Sequence, residues 1–126
     1  MKKILVVTFL IAAILTTGCL GDAPTQIVGT WKYVPVDPAQ DVMFWTFTDD
    51  GIVYYYDATT SQLDTGNYEM YMAGTHKMVK VTGTTIEDNN LPMAGEWTIV
   101  DITSSILRIG IKVDPGGFFQ RDLTKQ

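Results

Sequence analysis

The chain has 126 residues, with 9 Lys and Arg against 14 Asp and Glu, and a formal net charge of −5 at pH 7. An acidic chain with no basic stretch is a poor partner for a phosphate backbone, which argues against nucleic acid. Its single cysteine, Cys19, rules out an internal disulfide, and its single histidine, His76, leaves little for metal or nucleophilic chemistry.

The first element is directional. Lys2 and Lys3 precede an almost wholly apolar run from Ile4 to Leu15, and the small residues Thr16, Thr17 and Gly18 follow it. That order describes a secretory signal peptide. A helix of that run reaches roughly 18 Å, well short of a ~30 Å hydrocarbon core, so it is not a permanent transmembrane span. "TTGC" ahead of the tether resembles the lipobox of bacterial lipoproteins, with Thr16 in the place of the usual aliphatic residue. The resemblance implies cleavage after Gly18 and acylation of Cys19. Residues 1–18 are then the signal, 19–26 a lipidated tether and 27–126 one barrel domain. Loss of the two lysines takes the mature chain to a formal charge of −7. Anionic lipid would not attract such a surface, so the acyl chains hold it at the membrane, each buried CH₂ contributing about 0.8 kcal/mol. The expected location is the bacterial cell envelope, lipid-anchored, with the outer membrane the more common destination and the periplasmic or surface face open.

Beyond the tether, apolar residues recur with a period near two. Trp31 to Val34 opens the series. "DVMFWTFTDDGIVYYYD" reads as two strands around Asp50-Gly51, a strong hairpin signal. "TGNYEMYM", "HKMVKVTG", "GEWTIVDI" and "SILRIGIKV" each alternate, and "DPGG" at 114–117 turns the chain into "FFQRDL". About eight short strands joined by tight turns predict an all-β, antiparallel up-and-down meander barrel. A two-residue Asp50-Gly51 turn would place Met43, Trp45, Phe47, Tyr54 and Tyr56 on one face, whereas a three-residue turn would invert that parity. On the first parity Trp45, Tyr54, Tyr56, Tyr68, Met70 and Trp97 line an aromatic interior, joined by Leu107.

Three motifs then resemble one family. "IVGTW", with Gly29 and Trp31, is similar to the Gly-x-Trp opening of lipocalins. "FTDDG" and "FFQRDLTK" resemble the hairpin and last strand of the bacterial lipocalin-like lipoproteins. The resemblance implies that Arg121 packs over Trp31 where the first and last strands close the barrel. The chain is shorter than a full lipocalin and has no helix after the barrel.

Catalytic chemistry has little to stand on. His76 beside Lys77 reads as a solvated turn residue, and "EDNN" at 87–90 as a polar hairpin loop. Glu69 and Glu96 fall on the outward parity. The expectation is no enzyme, no metal site and no cofactor. Two readings of the interior stand. Aromatic walls with tyrosine hydroxyls suit a small hydrophobic or aromatic molecule. Alternatively, an eight-stranded barrel filled by its own side chains serves as an interaction or structural lipoprotein. Oligomeric state is not legible. Cys19→Ser is expected to leave the protein without lipid, measured as loss of labelled palmitate incorporation. Labelling that persists in the variant would refute the anchor.

Overall fold

A computed structural model describes residues 20–113 and 116–126. The expected signal peptide, Cys19, and Asp114 and Pro115 of the "DPGG" turn lie outside the described residues. A short helix, α1 (Ala23–Gln26), precedes β1 (Gly29–Tyr33), β2 (Met43–Phe47), β3 (Ile52–Asp57), β4 (Gln62–Ala73) and β5 (His76–Thr82). A small hairpin follows, β6 (Glu87–Asp88) with β7 (Leu91–Pro92). Then come β8 (Gly95–Ile102), β9 (Ile106–Val113) and β10 (Gly117–Lys125). Eight of these strands form a closed antiparallel barrel in the order β1-β10-β9-β8-β5-β4-β3-β2, and β6–β7 stand apart as a second sheet. The up-and-down meander expected from the sequence is the fold, and closure leaves no open sheet edge.

Alternation decides which side chains go inside. β2 buries Met43, Trp45 and Phe47, β5 buries Val79 and Val81, and β9 buries Leu107, Ile109 and Ile111. β8 contributes Trp97 and Ile99 before a bulge near Val100 shifts its register against β9. The aromatic rings touch: Trp45 meets Trp97 edge-on at 5.3 Å and Tyr55 at 5.5 Å, and Phe47 meets Tyr68 at 5.0 Å. These side chains fill the barrel themselves.

One hairpin corrects the expected parity. Thr48 N donates to Ile52 O at 2.9 Å, so the β2–β3 turn holds three residues, Asp49, Asp50 and Gly51. Gly51 has φ of +85°, the left-handed residue such a turn requires and which glycine adopts at no steric cost. The odd residue count flips β3. Trp45 therefore pairs with Tyr55 and Phe47 with Val53. Tyr55 is fully buried, while Tyr54 and Tyr56 face outward at 45% and 37% exposure.

Barrel closure is also corrected. Trp31 lies opposite Lys125, not Arg121. Lys125 Nζ sits 4.8 Å above the Trp31 ring and donates to the carbonyls of Gln26 (3.1 Å) and Val28 (2.6 Å). Arg121 lies four residues, roughly 13 Å, back along the strand. Its guanidinium stacks on Tyr33 at 4.8 Å. Gly29 lies at the closure for a steric reason: the Lys125 side chain crosses its α-carbon, and a Cβ there would meet that chain at 2.6 Å.

Tyr55→Ala is expected to cost about 3–5 kcal/mol and Tyr56→Ala less than about 1 kcal/mol, read by chemical denaturation. Equal losses, or the reverse order, would contradict the assigned parity.

Candidate functional site

Both ends of the barrel are covered, in different ways. At the end where β1 begins, α1 and its C-cap residue lay Ala23 and Ile27, both fully buried, over the core. Ile27 O accepts the indole N–H of Trp31 at 2.8 Å. Leu20 lies at this end beside Pro24, Asp49, Gly51 and Tyr68. The opposite end is covered by the segment between β5 and β8, which contains the β6–β7 hairpin. It buries Ile86, Leu91 and Met93, and Met93 O accepts the indole N–H of Trp97 at 2.8 Å. Asn89 and Asn90 both have positive φ, which suits the tight two-residue turn and which asparagine tolerates better than most residues.

This hairpin is tied down by polar contacts that the aromatic pattern did not signal. Asp88 is 0% exposed, and its carboxylate lies 3.4 Å from Arg121 Nε, a group itself only 11% exposed. Asn89 Nδ2 donates to the same carboxylate at 2.6 Å, while Asn89 Oδ1 accepts from Asp41 N at 2.6 Å. At the start of the segment, Asp64 Oδ2 accepts from Thr84 Oγ1 (2.6 Å), Thr85 N (3.0 Å) and Ile86 N (3.2 Å). "EDNN" is thus a hairpin as expected, but one that buries its aspartate.

Electrostatics follow from this geometry. Burial pushes the Asp88 carboxyl above the usual carboxylate range, against the pull of Arg121 and the Asn89 amide. Asp64 moves the other way, because the Thr84 hydroxyl and the Thr65 and Thr85 amides stabilise its charged form. Burial, with smaller contributions from Asp88 and Asp64, raises the Tyr55 phenol far above its ordinary value.

Within the barrel, hydrogen-bond demand is uneven. The indoles of Trp31 and Trp97 each donate to a backbone carbonyl four residues earlier. Trp45 Nε1 and the Tyr55 hydroxyl are buried without a hydrogen-bond partner among the described residues. Buried donors left unmade cost free energy and call for an explanation.

Of the six residues expected to line a ligand site, Trp45 and Trp97 meet in the core. Tyr68 and Met70 pack against it half-buried, and the Tyr68 hydroxyl donates to Thr48 O. Tyr54 and Tyr56 are on the outer wall. Tyr55, Asp88, Tyr33 and Lys125 were missed. The Asp-Asp-Gly run of the β2–β3 turn was the available signal for Tyr55; for the others, strand pairing had to be known. His76 is exposed, as are Glu69 and Glu96, and Glu96 accepts from the Tyr71 hydroxyl at 2.7 Å. Among the described residues, no group of three or more His, Cys, Asp and Glu side chains is placed to hold a metal ion. An open groove of about 560 Å³ is lined in part by Met78, Glu96, Thr98 and Lys112, the outward positions of β5, β8 and β9. Comparison with known proteins yields no match among protein-family models, curated sequences or solved structures.

A raised carboxyl favours its protonated form in the folded state, so the stability difference grows in acid. Relative to Asp88→Asn, the wild-type domain should gain stability as pH falls from neutral through the raised Asp88 value towards the ordinary carboxylate range. Thermal denaturation of both proteins across that range measures it. A wild-type advantage that instead shrinks in acid would contradict the assignment.

Proposed function

We infer that this chain is a lipid-anchored envelope protein that acts through its outer surface, as an interaction or structural lipoprotein, with its barrel interior serving as core. The single observation that carries this reading is the filled interior, in which Trp31, Trp45, Trp97, Tyr55, Phe47 and Met43 are at most 1% exposed. An eight-stranded barrel holds either its own side chains or one small ligand.

The distribution of exposed apolar residues supports a contact surface. Val34, Val36, Leu63, Tyr56, Phe118 and Phe119 are all exposed. They lie on β10, β3, β4 and the loop after β1, towards the end covered by the β6–β7 hairpin. Grouped apolar exposure of this kind marks interaction sites more often than scattered single residues do. Leu20, the residue after Cys19, is at the other end. An acylated Cys19 would therefore point the apolar rim away from the membrane, towards a protein partner.

Photo-crosslinking in cells tests this. Benzoylphenylalanine placed at Val36, Leu63 or Phe119 should capture one common protein, and the same probe at Val100 or Ile106 should not. Absence of a rim-specific product, together with a stoichiometric small molecule in native mass spectra of the purified protein, would overturn the reading.

A further inference from the structure

Three connectors at the end of the barrel covered by the β6–β7 hairpin are joined into one surface. Asn89, at the hairpin turn, binds both backbone groups of Asp41, accepting from its N–H at 2.6 Å and donating to its carbonyl at 3.2 Å. Asp41 belongs to the loop between β1 and β2. Val42, the next residue, donates to Thr59 Oγ1 (3.1 Å) and accepts from Ala58 N (2.9 Å), both in the turn between β3 and β4. Further out in the loop, Pro35 is buried and Asp37 Oδ1 accepts from Ala39 N at 2.9 Å. Hairpin, loop and turn thus hold one another in place, and Val36 and Leu63 project from them into solvent.

This face is acidic. Asp37 and Glu87 are exposed, and Asp41 is partly exposed. The Asp41 carboxyl shares a hydrogen bond with that of Asp57, which pushes it above the usual carboxylate range and sets two acids side by side. Arg121, the cation that reaches this end from β10, is committed to the buried Asp88. Among the described residues, Asp37, Asp41 and Glu87 take part in no ion pair.

We propose that this face receives a cationic segment of a partner protein, one in which lysine or arginine side chains flank an apolar residue. The proposal rests on the reading of the rim as a contact surface and gives its partner a chemistry. The apolar residue meets the exposed rim, and the cations meet Asp37, Asp41 and Glu87. A cation beside Asp41 offsets the repulsion that its contact with Asp57 creates, so both carboxyls can ionise together. Opposite charge speeds the encounter, and the same acids repel acidic surfaces, including a second copy of this chain. Because the connectors are already fixed to one another, binding orders little that was loose.

The test uses the full chain in a nonionic detergent. The probe is a labelled peptide in which lysine alternates with leucine, and its counterpart carries glutamate in place of lysine. Fluorescence anisotropy should show binding of the lysine peptide alone, weakening as sodium chloride is added. Asp37→Asn combined with Glu87→Gln should weaken it about fivefold, the scale of two exposed charge contacts. Asparagine at position 37 keeps an acceptor for Ala39 N, so the loop retains its shape. Asp22→Asn combined with Asp101→Asn removes the same charge from the opposite end and should leave the affinity unchanged. Equal weakening by the two double variants, equal binding of the glutamate peptide, or no binding by the folded wild type would overturn the proposal. In cells, a rim-specific crosslink that Asp37→Asn with Glu87→Gln leaves undiminished would overturn it and spare the contact surface, whereas absence of any rim-specific crosslink would overturn both.

Discussion

Pairing of the first barrel strand with the last is the constraint from which the other features follow. β1 and β10 are separated by nearly the whole domain, and loop closure over that length costs entropy before any contact compensates it. What holds the junction is compact. Trp31 and Lys125 are register partners, the ammonium lies over the indole, and the same ammonium binds two carbonyls at the start of β1. Gln126 N adds a bond to Thr30 O at 2.9 Å. A cation on an aromatic face contributes about 0.5–2 kcal/mol according to its desolvation. Here the charge is also coordinated by backbone, so Lys125 fastens the strand pair and the lead-in from α1 together.

Closure leaves a cylinder of fixed width with two open mouths, and the chain solves each mouth with local sequence. α1 brings two apolar residues to one end, and the segment between β5 and β8 brings three to the other. Each cover is pinned by the same device, an indole N–H donating to a backbone carbonyl four residues earlier. The indole of the third tryptophan, Trp45, makes no such bond, and Trp45 pairs across the sheet with Tyr55, whose hydroxyl is equally unpartnered among the described residues. The cover between β5 and β8 adds polar contacts, Asp88 with Arg121 and Asp64 with residues 84–86, to its buried apolar residues, whereas the helical cover is held by apolar contact and backbone.

Outward-facing residues form a separate layer. β2 and β3 carry Phe44 and Tyr56 as a cross-strand pair, with ring centroids 6.2 Å apart, and Lys32 lies 5.6 Å over Phe44. On β10, Phe118 covers Gly110, where a Cβ would collide with the ring. These outer contacts cover glycine and aromatic faces that face water, and do so independently of the packed interior.

The sequence by itself determined the class of the fold. Strict alternation in "GEWTIVDI" and "SILRIGIKV" can bury one face only as strands, and tight turns between eight such segments leave an antiparallel meander as the economical arrangement. It also placed Trp45, Trp97 and Leu107 in the core, because the alternate faces of their strands carry Thr46, Thr98 and Arg108. Tertiary structure decided what depends on counting across a turn or around the barrel. One residue more in the β2–β3 turn sends Tyr55 inward and Tyr54 and Tyr56 outward, since a side-chain period of two inverts with every single-residue slip. The β1–β10 register set Lys125 rather than Arg121 over Trp31. That freed Arg121 to meet Asp88, a residue in a run of four polar residues that reads as solvent-facing until the barrel brings a cation to the mouth it covers. Local pattern carries no information about a partner that arrives from 33 residues away.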